Sequence, residues 1–132
     1  MNETISVLAA NLTGAALNWA VAVAEGYTQD SEDHTCIISP QGDPTSCTAR
    51  GAAEGYGYRP STDWAQGGPL IEKYRGGISH EHRLADADVR WSGGPAEMGY
   101  WCYGPTPLTA FCRSLVSFKL GRHVQVPKEL FP

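Results

Sequence analysis

The chain has 132 residues, with 10 Lys and Arg against 14 Asp and Glu, a formal net charge of −4 and a pI of about 5.5. That length fits one compact domain and is too short for two comfortable cores. The acidic balance argues against general binding to duplex nucleic acid, where Lys and Arg supply most of the affinity.

Hydrophobic residues make up 42% of the chain, the share of an ordinary folded domain. The 15 Gly and 9 Pro exceed the usual combined share of roughly 12%, so much turn and irregular loop is expected. The longest apolar run, Ala15 to Ala24, is broken by Asn18 and falls short of the roughly 20 residues that a membrane-spanning helix needs. Met1-Asn2-Glu3-Thr4 carries no basic region of a secretory signal, which points to a cytoplasmic protein without a membrane partner. In that compartment Cys36, Cys47, Cys102 and Cys112 default to reduced thiols, with a Cys36–Cys47 disulfide reserved for an oxidising one. They form no C-x-x-C pair, and no structural metal is expected.

The first predicted element is a helix from about Gly14 to Glu25. Thr13 is placed to cap it, and Leu17, Ala20, Val21 and Ala24 form one apolar stripe before Gly26 ends it. Trp19 lies off that stripe, over a loop or facing a pocket. Residues 27–57 read as a loop-rich insertion in a single domain spanning 1–132. Within the insertion, Thr35-Cys36-Ile37-Ile38 is a strand nucleus closed off by Pro40, Gly42 and Pro44, and Ala49 to Gly57 reads as a mobile loop.

Ser61 and Thr62 are placed to cap a short turn, Gly67-Gly68 to break it, and Pro69 to start a second short helix. Ile78 to Leu84, Asp88 to Trp91 and Tyr100 to Tyr103 are predicted strands, with Ser92-Gly93-Gly94-Pro95 as a turn. The strongest periodicity follows. Thr106 as cap and Pro107 at the first position precede Leu108, Phe111, Cys112, Leu115, Val116 and Leu120, with Gly121 as the stop. Arg113 and Ser117 share the opposite side. Val124 to Pro127 can pair only at a sheet edge or lie across the core. The expected architecture is α+β: one small antiparallel sheet of three to four strands, with an N-terminal and a C-terminal helix packed on one face.

Catalytic patterns are absent from the sequence: there is no G-x-S-x-G elbow and no H-E-x-x-H. His80-Glu81-His82 offers at most a metal half-site, against the plainer reading of solvent-facing strand histidines. Gly67-Gly68-Pro69-Leu70 lacks the ending of a phosphate loop. Cys36 and Cys112 fall on apolar patterns and are expected in the core. The chain therefore reads as a binding protein rather than an enzyme, with no catalytic residue, cofactor or metal assigned.

Two clusters are candidates for binding. Tyr58, Arg59, Ser61, Thr62, Asp63, Trp64 and Gln66 concentrate flat rings, a cation and planar hydrogen-bonding groups beside Gly67 and Gly68. Those are the parts of a nucleotide pocket, and the alternative is a capped turn whose Trp plugs the core. Thr106 at a helix start with Arg113 beyond it is the second, against a plain strand-to-helix connection.

Three segments carry a resemblance: L-T-G-A-A-L-N-W-A-V-A-V-A-E-G (Leu12 to Gly26), Y-R-P-S-T-D-W-A-Q-G-G-P-L-I-E (Tyr58 to Glu72) and G-P-T-P-L-T-A-F-C-R-S-L-V-S-F-K-L-G (Gly104 to Gly121). In this order, with V-P-K-E-L near the end, the sequence resembles the small NinX family of tailed phages. The stretch between Tyr27 and Gly57 is longer than the family's pattern, and Tyr74-Arg75-Gly76-Gly77 departs from it. The resemblance implies a phage accessory protein in a bacterial host cytoplasm and carries no reaction with it. For such a protein the expected role is to sequester a nucleotide-derived signal of a host defence system as a homo-oligomer. Trp19 and Trp64 would stack on the ligand, Asp63 and Gln66 would read base or ribose, and Arg59 and Arg113 would hold phosphate. The alternatives are a nucleic-acid or recombination accessory protein and a protein–protein inhibitor of a host enzyme.

Overall fold

A computed structural model describes residues 3–83 and 85–131. Strand β1 (Thr4–Leu8) leads through a 3-10 turn into helix α1 (Gly14–Ala24). The segment that follows holds β2 (Thr28–Gln29), β3 (Cys36–Ile38), β4 (Pro44–Ser46) and helix α2 (Ala49–Glu54). Helix α3 (Trp64–Lys73), strands β5 (Gly77–His80), β6 (Trp91–Gly94) and β7 (Cys102–Gly104), helix α4 (Pro107–Leu120) and strand β8 (His123–Pro127) complete the order.

The class is α+β and, among the described residues, every pairing is antiparallel, but the single sheet expected from the sequence is replaced there by three small ones. These are β1–β8, β2–β3–β4 and β5–β6–β7. The reason lies in α1, whose residues from Ala15 to Ala22 are all buried. A helix apolar on every side must be covered on every side, and one sheet covers only one face. Helix α4, the strand β8 and α2 all pack against it. Thr13 occupies the cap position of α1, yet its side chain makes no capping bond. Gly26 does take the left-handed conformation after the helix, with φ +88°.

Helix α4 begins and ends where its sequence signals lie. Thr106 Oγ1 accepts the Thr109 N–H at 3.1 Å, Pro107 opens the helix and Gly121, at φ +96°, closes it. The helix lies directly across β6 and β7. This contact explains why Ser92-Gly93-Gly94, read as a turn, is instead the middle strand of its sheet. A Cβ on Gly94 would sit 2.4 Å from Trp101 Cδ1 and 2.8 Å from Ser114 Cβ. Ser114 Oγ donates to the Gly93 carbonyl and accepts the Cys102 N–H at 2.7 Å, joining helix to sheet. The strand expected over Asp88 to Trp91 begins only at Trp91, after a 3-10 turn at Ala87–Val89. That expected from Ile78 is confined to Gly77–His80, and its proposed end, Leu84, lies outside the described residues.

Two further expectations are corrected. Ala49 to Gly57 holds a helix because Thr48 Oγ1 accepts the Gly51 N–H at 2.9 Å and Gly55, at φ +86°, supplies the stop. Gly67-Gly68-Pro69 does not interrupt α3. Asp63, not Ser61 or Thr62, caps it, its Oδ1 accepting the Ala65 N–H at 3.1 Å. Pro69 forfeits one intrahelical bond, while Gly67 lets the helix close on its neighbours. A Cβ there would meet the Pro60 carbonyl at 2.3 Å and Leu108 Cδ2 at 2.8 Å. The buried cluster between these elements includes Leu12, Leu17, Val21, Ile37, Phe111, Leu115, Val116 and Val126. All four cysteines are free thiols; Cys112 is in the core as expected, whereas Cys36 is only half-buried.

Candidate functional site

A cleft of about 610 Å³ opens between α3 and the β3–β4 hairpin. Ala65, Gln66, Pro69, Leu70 and Lys73 recur along one side of α3 and form one wall. The residues from Ser39 to Thr45 at the hairpin tip supply the other, apart from Gly42. Tyr27 and Tyr58 also line it, their ring centroids 4.8 Å apart and the planes tilted by 38°. The long segment 27–57 is therefore a structural part of the cleft. It is fastened to α1 by Trp19, whose Nε1 donates to the His34 carbonyl at 2.8 Å.

The electrostatics centre on Glu25, whose side chain is 6% exposed. It accepts a hydrogen bond from Lys73 Nζ at 2.7 Å and another from the Tyr74 hydroxyl. The bond to Glu25 raises the Lys73 pKa. Burial, reinforced by the Glu25 charge, raises the phenol pKa of Tyr27 and Tyr58. Lys119 Nζ lies 5.1 Å from the centre of the Tyr74 ring, so a second cation rests against the same group. Among the lining residues Lys73 is the cation and Glu25 and Asp43 the anions.

The family model described as Bacteriophage P22, NinX matches residues 8–119. The chain belongs to the NinX family. No curated protein matches it. The matched span runs from the last residue of β1 to the last turn of α4 and so contains every residue that lines the cleft. Among the described residues of this NinX-family chain, no helix is long and apolar enough to cross a membrane.

The structure separates the residues that the sequence had grouped into one pocket. Tyr58 and Gln66 line the cleft. Both ends of the Gln66 amide are engaged, Oε1 by the Arg59 N–H at 2.7 Å and Nε2 by the Gly57 carbonyl at 3.1 Å, so it clamps the loop before α3. Arg59 is tied down as well: Nη1 donates to the Gly57 carbonyl and Nη2 lies 3.6 Å from Asp63 Oδ2. Ser61 is buried against Asn18, and the Thr62 hydroxyl reaches the Arg59 carbonyl at 3.5 Å. Asp63 is a helix cap, and Gly67 is a packing contact.

Trp64 is 52% exposed, so it does not plug the core, but it lies outside the cleft lining, with its ring next to Gly68. Trp19 is 4% exposed and serves the core and the His34 anchor. Thr106 caps α4, and Arg113 lines a different cleft, with Tyr100, Trp101 and Tyr103. The sequence reading missed Glu25, Tyr27, Lys73 and the hairpin tip. Lys73 was accessible in principle: it stands seven residues after Gln66 and so shares its helical face, provided that α3 is read as one helix.

Two thiols are chemically quiet. Burial pushes Cys47 and Cys112 up to about 12, far from the thiolate that a nucleophile requires.

Proposed function

We propose that this NinX-family protein is a non-catalytic phage accessory protein that sequesters a small nucleotide-derived molecule of the host in the cleft between α3 and the β3–β4 hairpin. The observation that carries the proposal is the tyrosine pair, Tyr27 and Tyr58, lining a cleft large enough for a nucleoside. Flat rings with hydroxyl handles offer stacking surface and hydrogen bonds together. Ser39, Gln41 and Thr45 add short polar groups on the hairpin side. With Lys73 paired to Glu25 and Asp43 also in the lining, the charge balance suits a base and sugar carrying little negative charge better than a polyphosphate. Arg59, held by Gly57 and Asp63, takes no part. Glu25 and Lys73, the buried carboxylate and the amine of the cleft, are already engaged with each other, and Glu25 also holds Tyr74. That supports capture without turnover.

The test is mass spectrometry of small molecules released from the purified protein, followed by thermal-shift titration with each compound found. A ligand that binds only the native state raises the melting temperature through RT ln(1 + [L]/Kd), several degrees at saturation. Ala65 is exposed on the cleft wall, so Ala65→Phe fills the site without disturbing the core. It should abolish the shift and keep the melting temperature of the free protein. No retained molecule, together with no shift from a panel of nucleosides and cyclic nucleotides, overturns the proposal.

A further inference from the structure

A second groove runs beside Arg113 and Ser117 of α4, and it shares no lining residue with the tyrosine cleft. It has two lobes, of about 530 Å³ and about 200 Å³, joined through Ala10, Tyr100 and Cys102. Arg113 lies in the larger lobe, and Arg122 and Ser117 in the smaller. Arg113 and Ser117 are one helical turn apart on α4, and Arg122 follows the end of the helix.

Arg113 is pre-organised. Its Nε donates to the Leu12 carbonyl at 2.7 Å and its Nη1 to the Tyr103 carbonyl at 2.9 Å. Neither Arg113 nor Arg122 is paired with a carboxylate among the described residues. A half-buried guanidinium held only by neutral carbonyls leaves its charge to be met by an anion from outside, with Asp88 on the same wall as a partial counterweight. Beside it stand Tyr100, 66% exposed, and Tyr103, 45% exposed, with Trp101 fixed by its bond to the Pro95 carbonyl. Exposed rings next to arginines are what single-stranded nucleic acid uses, because every base has a face to stack.

We infer that this groove binds a short single-stranded run of nucleotides, a 5′-phosphorylated dinucleotide at minimum, with one phosphate on Arg113, the next on Arg122 and a base stacked on Tyr100. Two cations in an otherwise acidic chain suit a contact of this length and not a long electrostatic track. A free dinucleotide and the end of a longer strand present the same chemistry.

The test is fluorescence anisotropy of a labelled oligothymidylate titrated with the full chain at several salt concentrations. Saturable binding that weakens with salt is expected, competed by the unlabelled 5′-phosphorylated dinucleotide but not by inorganic phosphate or polyglutamate. Tyr100→Ala should weaken binding about tenfold, the size of one base–ring stack. Arg122→Ala should weaken it and lower the salt slope by about one. Both side chains are exposed, so melting temperatures should not change, and Ala65→Phe in the other cleft should leave strand binding intact. Dinucleotide binding as tight as that of the strand identifies a free dinucleotide as sufficient, and tighter strand binding identifies a strand end; either supports the inference. It is overturned by no saturable binding at low salt, by wild-type affinity in either groove variant, or by equal displacement with phosphate or polyglutamate.

Discussion

Asn18 Oδ1 accepts two hydrogen bonds from one residue, the backbone N–H of Ser61 at 3.0 Å and its hydroxyl at 2.7 Å. Both residues are buried, at 1% and 2% exposure. The pair joins the middle of α1 to the turn that launches α3. It therefore fixes where α3 starts, and with it one wall of the cleft.

Removing the acceptor leaves two buried donors on Ser61 without partners. Asn18→Ala should cost about 1–3 kcal/mol and lower the melting temperature by several degrees. Ser61→Ala keeps the backbone bond and should cost about 1 kcal/mol. Calorimetric melting of the two variants checks the order, and an Asn18→Ala protein as stable as the wild type would contradict it.

The adjacent glycines of α3 should respond in opposite directions. Gly67→Ala forces a methyl into the Pro60 carbonyl and Leu108, and should destabilise by about 1–3 kcal/mol. At Gly68 the nearest atom is Trp64 Cε3 at 4.0 Å, so Gly68→Ala should be neutral or stabilise by up to about 1 kcal/mol. Urea unfolding midpoints read both. A stabilised Gly67→Ala variant would show that α3 does not lie against Pro60 and Leu108.

Trp64→Ala removes a half-exposed ring that makes no hydrogen bond among the described residues. Its stability should change by no more than about 0.5 kcal/mol. Ligand binding in the tyrosine cleft should persist, because Trp64 is not part of its lining. A lost thermal shift in this variant would return the indole to the ligand.

Stability should fall on the alkaline side. Cys47 and Cys112 ionise at about 12 in the folded chain and near 9 when unfolded, and Tyr27, Tyr58 and Tyr74 are raised above 10. Between those values the unfolded chain has lost protons that the folded chain retains, so stability decreases as pH rises. Lys73 acts in the same direction: its raised pKa contributes below the ordinary lysine value of 10.5 and is lost as pH climbs through the folded one. Urea midpoints should thus begin to drop at about pH 9. A midpoint that rises above that pH would refute the burial of these groups. In the native protein a thiol reagent should modify the half-buried Cys36 and Cys102 well before Cys47 and Cys112.

Local chemistry wrote α1 and α4 into the sequence. The spacing from Leu108 to Leu120, the Thr106-Pro107 start and the glycines at 26 and 121 depend on residues within one or two turns of each other, so a linear reading finds them. The same holds for the β-branched nucleus of β3. What the sequence alone left undecided is every element whose state depends on a distant neighbour. Gly93 and Gly94 look like a turn until α4 is laid across them, when the missing side chains become the condition for contact. Gly67 looks like a break until Pro60 and Leu108 close on it. β1 is a strand because β8 pairs with it from the far end of the chain. The cleft belongs to this second kind: Tyr27, the hairpin tip and Lys73 are distant in sequence, and only the packing of the hairpin and α3 on either side of Tyr58 brings them together.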